Sequence, residues 1–289
     1  MKKGIFYALV TALMFVTLEP VSKLIANDIS PFAMTFWRFL IGSIMLIPFA
    51  IVKIKKEQIK ITGKDVLLMA LLGVLVICIS MLSLQFAVKL ADAPSLIAII
   101  FSVNSVLTII FAVLFISEEK FTKNKIIALV LGIIGVVVCA DFSSDTNLGS
   151  VALALVAAVS FSLYTALSRK YAKKISGLIQ SAGGFLIGSI VLFVFLLIGG
   201  YDIVPNTDIT SLSILLYLGI FVTGIGYVAY FKAMEKGGAI MASMAFFIKP
   251  VLTPFVTYFV NGIVPDIKVF VAVAFIVGAS YFAVYKKEC

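Results

Sequence analysis

The sequence predicts an all-α integral membrane protein with ten transmembrane helices, arranged as two inverted five-helix repeats around a central cavity. Three observations carry that prediction. Of 289 residues, 62% are apolar and 13% charged, against about half apolar and a quarter charged in soluble domains. Ten separate apolar stretches approach the roughly 20 residues that a helix needs to cross a bilayer. The run Phe39-Leu40-Ile41-Gly42-Ser43-Ile44 recurs unchanged as Phe185 to Ile190.

Lipid offers the backbone no hydrogen-bond partner, so spanning elements are helices or closed barrels. Continuous rather than alternating apolar runs select helices. The ten stretches cover approximately 4–25, 32–52, 66–88, 94–116, 126–140, 148–168, 178–199, 212–233, 239–260 and 267–285. The first follows Met1-Lys2-Lys3 in the manner of a signal peptide. No small-residue cleavage site follows it, so it is read as a retained span.

Loop charge tests this division, because cytoplasmic connections of a membrane protein carry the excess of Lys and Arg. Lys2, Lys3, Lys53, Lys55, Lys56, Lys60, Lys64, Lys120, Lys123, Lys125, Arg169, Lys170, Lys173, Lys174, Lys232, Lys236, Lys286 and Lys287 all fall on one side. The other side holds Lys23, Arg38, Lys89 and Lys268, with Asp28, Asp92, Asp141, Asp145, Asp202, Asp208 and Asp266. A miscounted span would have flipped every later loop and blurred this sorting. Both termini are therefore expected in the cytoplasm, with the chain in the cell (inner) membrane. The net charge of +9 follows from topology, which leaves no case for a nucleic-acid partner.

The repeat extends beyond the six-residue identity. At the same offset of 146 positions Ala8-Leu9-Val10 meets Ala154-Leu155-Val156, Phe15 meets Phe161, and Ser22 meets Ser168. At 145 positions Val106-Leu107-Thr108 meets Val251-Leu252-Thr253. Residues 1–141 form the first expected unit and 147–289 the second. Each holds five spans, an odd number, so the second enters the membrane from the opposite face. Inverted repeats place a shared site near mid-membrane and allow two related openings, the geometry of alternating access.

Short segments add a family resemblance. Trp37-Arg38-Phe39-Leu40 resembles the Arg-Phe-Leu segment of the EamA-type drug/metabolite transporters, and Phe86-Ala87-Val88-Lys89 is similar to their stretch closing the third span. Lys249-Pro250 sits where the ninth span of that family carries a proline, and Glu118-Glu119 resembles the glutamate closing its fourth span. Asn104-Ser105 replaces the fourth-span proline, and Ile263-Val264 lacks the closing glutamate of the second half. The resemblance implies a bundle with a cavity lined by both halves, serving export or exchange of small metabolites such as amino acids. Its partners would be a small-molecule solute and membrane lipid, with the chain a monomer or homodimer.

A charge at the centre of a span costs about 2.5–3.5 kcal/mol on insertion scales. Two such charges stand out, each just before a proline: Glu19 before Pro20, and Lys249 before Pro250. A proline frees the carbonyl four residues earlier, so Pro20 and Pro250 are read as helix breaks that expose Val16 and Phe246 carbonyls. On one reading Glu19 and Lys249 face one cavity, paired when it is empty, with Glu19 taking the amine and Lys249 the carboxylate of a zwitterion. On the other, Glu19 is neutralised locally by Lys23 at i+4, and Lys249 caps a broken helix. Glu19 is also the candidate coupling site if protons drive transport. Lys249 and Glu19 map onto Asn104 and Thr165, so the site is expected to be asymmetric.

Arg38, beside Trp37, reads first as an interfacial anchor and second as a solute contact. Tyr164, Tyr227, Tyr230 and Phe246 are candidates for covering the solute, as are Trp37 and Asn104, although packing is the alternative role for each aromatic. No Walker motif, nucleophile elbow or paired catalytic carboxylates appear, so the chain is not read as an enzyme. Absence of histidine, with Cys78, Cys139 and Cys289 scattered, leaves no expected metal, cofactor or disulfide framework. A membrane sensor, scaffold or lipid-handling protein is the rival class.

Overall fold

A computed structural model describes residues 2–115, 122–140, 147–172, 174–205 and 207–284. Glu118 and Glu119, which carry part of the family resemblance, lie outside them. Local chemistry sets where the helices begin. Helix α1 covers Lys3–Leu24, and α2 (Pro31–Glu57) opens with Pro31 in its first turn and the Ser30 hydroxyl accepting from the Ala33 N–H, both favoured at helix starts. Helix α3 (Gly63–Leu90) opens where the Asp65 carboxylate takes the backbone N–H and hydroxyl of Thr62. Helix α4 (Pro94–Phe115) again starts on proline.

The remaining helices are α5 (Lys123–Ala140), α6 (Leu148–Tyr171), α7 (Gly177–Gly199), α8 (Ile209–Tyr217), α9 (Gly226–Asn261) and α10 (Ile267–Val284). Asn147 and Asp208 cap α6 and α8 by accepting from the N–H groups of Ser150 and Ser211. Helix α7 stops at Gly200, whose φ of 65° is one that residues with a Cβ seldom adopt.

Among the described residues there is no strand, and seven helical stretches are long and apolar enough to cross a membrane. These are α1 to α4, α6, α7 and Ile209–Ala233, the last running from α8 into α9. Ile126–Gly135 and Ile267–Ala279 are apolar but shorter. Large apolar side chains such as Ile198 and Phe259 lie on the outside, exposed by 83% and 81%. A surface of that kind suits lipid rather than water.

Helix α9 is not one straight rod. The rings of Tyr230 and Phe246 are 5.9 Å apart, whereas sixteen residues of straight helix would separate them by about 24 Å. The chain therefore reverses between them, and α9 has two limbs that correspond to the separate apolar stretches 212–233 and 239–260.

Prolines act unequally. Helix α1 is interrupted at Thr17, beside the carbonyl of Val16 that Pro20 leaves without its N–H partner. Pro250 does not break its helix, contrary to the expectation: the second limb of α9 runs on through Pro250 and Pro254. One missing hydrogen bond leaves the flanking ladder intact, which packed membrane helices tolerate. An unforeseen interruption falls at Val103 in α4, where the Asn104 amide donates to the Phe101 carbonyl at 2.7 Å.

Two π-helical turns of eight residues each, Val74–Met81 within α3 and Leu218–Ile225 between α8 and α9, start 144 positions apart. Each widens its helix where that helix meets the other half. A Cβ on Gly188 of α7 would come within 2.7 Å of the Gly73 carbonyl, and one on Gly42 of α2 within 2.5 Å of the Thr223 methyl. Between these contacts Phe39 and Phe185, equivalent positions of the sequence repeat, meet edge to face at 4.8 Å and are fully buried. One continuous core joins the elements around this crossing, whereas α5 and α10 pack together on smaller clusters.

Candidate functional site

A narrow pocket opens in the middle of this core. Six of its eleven lining residues form pairs that the repeat relates: Phe15 and Phe161 are 146 positions apart, as are Met81 and Tyr227, and Phe101 and Phe246 are 145 apart. Ring contacts follow the same relation. Phe15 meets Phe246 at 6.0 Å, and Phe161 meets Phe101 at 5.4 Å. Met81, Val222 and Thr223 belong to the two π-helical turns, whose extra residue re-aims side chains locally.

The charges break that symmetry. Lys249 lines the pocket, donates to Glu19 Oε1 at 2.6 Å, and lies 5.2 Å over the Phe101 ring. Both side chains of the pair are buried. Glu19 is not itself among the lining residues, and its second oxygen, Oε2, is buried with no hydrogen-bond partner. Lys23 does not neutralise Glu19 locally. Its ammonium donates instead to the carbonyls of Ala91, at 2.5 Å, and Lys89, at 3.1 Å, which closes the C-terminal end of α3.

Arg38 is not an interfacial anchor. Ser30 caps α2, so Arg38 lies eight residues, or about 12 Å of helix, from its start. There it is 2% exposed and lines the pocket, with its guanidinium 4.6 Å over the Phe39 ring. Its Nε and Nη1 are buried without hydrogen-bond partners. Trp37 is rotated about 100° around the helix from Arg38 and does not line the pocket. Its indole donates to the Ile203 carbonyl at 2.8 Å.

Three more of the expected residues lie off the wall. The Asn104 side-chain amide is spent on the Phe101 carbonyl, and the Asn104 backbone carbonyl accepts from the Ser162 hydroxyl at 2.9 Å. Tyr164 shares a hydrogen bond with Ser181 at 2.7 Å, and Tyr230 packs behind Phe15 and Phe246. Tyr227 and Phe246 do line the pocket. The repeat held a signal for the wall that residue chemistry did not: Phe15, Phe101 and Phe161 are ordinary aromatics until paired by offset.

A helical membrane bundle whose buried pocket is walled by both repeats and lined by a lysine ion-paired behind the wall is the construction of a membrane carrier. The chain belongs to the EamA-like transporter family, whose model matches it twice, over residues 2–140 and 148–285. A protein of Clostridium kluyveri named as an uncharacterized transporter is 35% identical, with 96% of this chain and 91% of its own covered. A Rickettsia bellii protein named as an S-adenosylmethionine uptake transporter is 24% identical over 93% of this chain and 89% of its own. A solved crystal structure shares the fold with a TM-score of 0.70 at 17% identity, over 98% of this chain and 97% of that one.

Proposed function

We propose that this transporter is a secondary or facilitative carrier that exports or exchanges amino acids or related zwitterions by alternating access. The observation that carries the reading is the pocket itself: a wall with three repeat-related pairs of side chains that also carries Lys249, whose ion-pair partner Glu19 is buried behind it. Ten spans in two inverted halves fit the loop charges and the matched π-helical turns, and both termini would then be cytoplasmic. The solute's amine is drawn towards Glu19, which lies behind the wall with its Oε2 free of hydrogen bonds, and Tyr227 and Phe246 cover its body. The relative named for S-adenosylmethionine uptake adds that solute to the candidates, since it too carries an amino-acid zwitterion.

The test is flux. Purified protein in proteoliposomes is given each labelled L-amino acid and S-adenosylmethionine, with and without a pH gradient. Saturable uptake that is lost in Lys249→Met supports the carrier. Absence of saturable flux for every solute overturns it.

A further inference from the structure

We propose that Arg38, not Lys249, receives the solute's carboxylate, so that the transported class is an amino acid with a free carboxylate and an apolar or aromatic side chain. This rests on reading the pocket as a solute site.

Two charged side chains line the pocket, Lys249 and Arg38, and Glu19 lies buried behind Lys249. Lys249 and Glu19 neutralise one another at 2.6 Å. Arg38 has no such partner: its Nε and Nη1 are fully buried and form no hydrogen bond among the described residues. The Phe39 face beneath it, at 4.6 Å, supplies attraction but no acceptor. A buried guanidinium with two nitrogens unbonded is costly even with the Glu19 carboxylate, already paired to Lys249, acting on it through space, so its retention at the pocket wall points to an acceptor that arrives from outside. A planar fork of N–H donors matches a carboxylate with two parallel hydrogen bonds, which the point charge of a lysine does not reproduce.

The rest of the wall narrows the class. Phe15, Phe101, Phe161 and Phe246 surround the space, and the Thr223 hydroxyl is spent on the Leu218 carbonyl at 3.0 Å. Arg38 is also where the halves differ: the repeat places Gly184 opposite it, and a Cβ there would press on the Met69 carbonyl at 3.1 Å. With Lys249 engaged by Glu19, Arg38 is the lining cation left to orient the solute.

The test compares the twenty L-amino acids with their carboxamides, measuring binding to the purified full-length protein by thermal shift and titration calorimetry. The wild type should bind at least one apolar acid about tenfold or more tightly than its amide, the size expected when a charge-assisted hydrogen bond is lost. Arg38→Gln should bind that acid no better than the amide, and Arg38→Lys should fall between. Equal wild-type affinity for acid and amide overturns the proposal, and needs no variant to fold. So does an Arg38→Gln protein that binds the acid as the wild type does. Saturable proteoliposome flux confined to solutes without a carboxylate overturns the Arg38 assignment but leaves the carrier standing, whereas no flux for any solute removes both.

Discussion

Lys249 and Glu19 lie 230 positions apart and meet at 2.6 Å, which ties the second limb of α9 to the first helix of the chain. Both are buried, so removing one partner strands the other as an uncompensated charge. Such losses cost about 3–5 kcal/mol in soluble proteins, while replacing both partners by neutral groups costs far less. Glu19→Gln and Lys249→Met should each lower the unfolding temperature in detergent, and the double variant should recover most of the loss. Additive losses would show that the two side chains are not coupled.

Trp37 and Arg38 are neighbours in sequence with separate duties. The Trp37 indole holds the Ile203 carbonyl, on the connection between α7 and α8, at 2.8 Å. Trp37→Phe keeps an aromatic ring but removes the donor and part of the indole's bulk, so it should cost about 1 kcal/mol of stability or more. Affinity for solute should not change, because the side chain is not on the pocket wall. Chemical denaturation and titration on the same preparation separate the two effects.

That contrast shows what the sequence made legible. Glu19 and Lys249 were visible because charges inside apolar runs are rare, and the interruption of α1 because Pro20 removes a specific backbone donor. Arg38 was misplaced because distance from the start of a span was taken for depth. Only the packing of α2 against the π-helical turn at Leu218–Ile225 shows that its face points inward. Pro250 misled for the opposite reason: a lost hydrogen bond predicts a break only where the surrounding helix cannot hold its course. Tyr164 and Asn104 carry chemistry that suits a solute, but nearer partners, Ser181 and the Phe101 carbonyl, consume it.

Asp208, just outside the Ile209–Ala233 stretch, should give the fold a pH dependence. Its carboxylate accepts from the Ser211 N–H at 2.9 Å, and this bond, helped by Thr210, holds its pKa below the usual carboxylate range, while the Ser211 hydroxyl donates to Asp28 at 2.8 Å. A depressed pKa means that the ionised form stabilises the folded state. The contribution is complete above the ordinary aspartate pKa of about 3.9 and fades as pH falls through the lower folded value. Asp208→Ala should therefore unfold at a lower temperature than wild type at pH 7, with the gap closing below about pH 4. A gap that stays constant down to pH 3 would assign the effect to packing.

Where the halves press together, two glycines should respond oppositely to alanine. A Cβ on Gly73 would run into the Gly184 carbonyl, and beyond it lies the Gly188 N–H nitrogen at 3.1 Å. These are backbone atoms of α7 and cannot step aside without moving the helix. A Cβ on Gly183 would instead meet the Met69 sulfur, the far end of a side chain that can rotate away. Forced overpacking costs about 1–3 kcal/mol or more, whereas glycine to alanine within a helix gains up to about 1 kcal/mol when space allows. Gly73→Ala should thus lower folded yield and unfolding temperature, and Gly183→Ala should leave both within experimental error or raise them slightly. Because Gly73 immediately precedes the π-helical turn of α3, the same substitution should also slow solute flux in whatever fraction folds. Relief of the clash needs α3 and α7 to separate, which disturbs the crossing where the two halves meet beside the pocket.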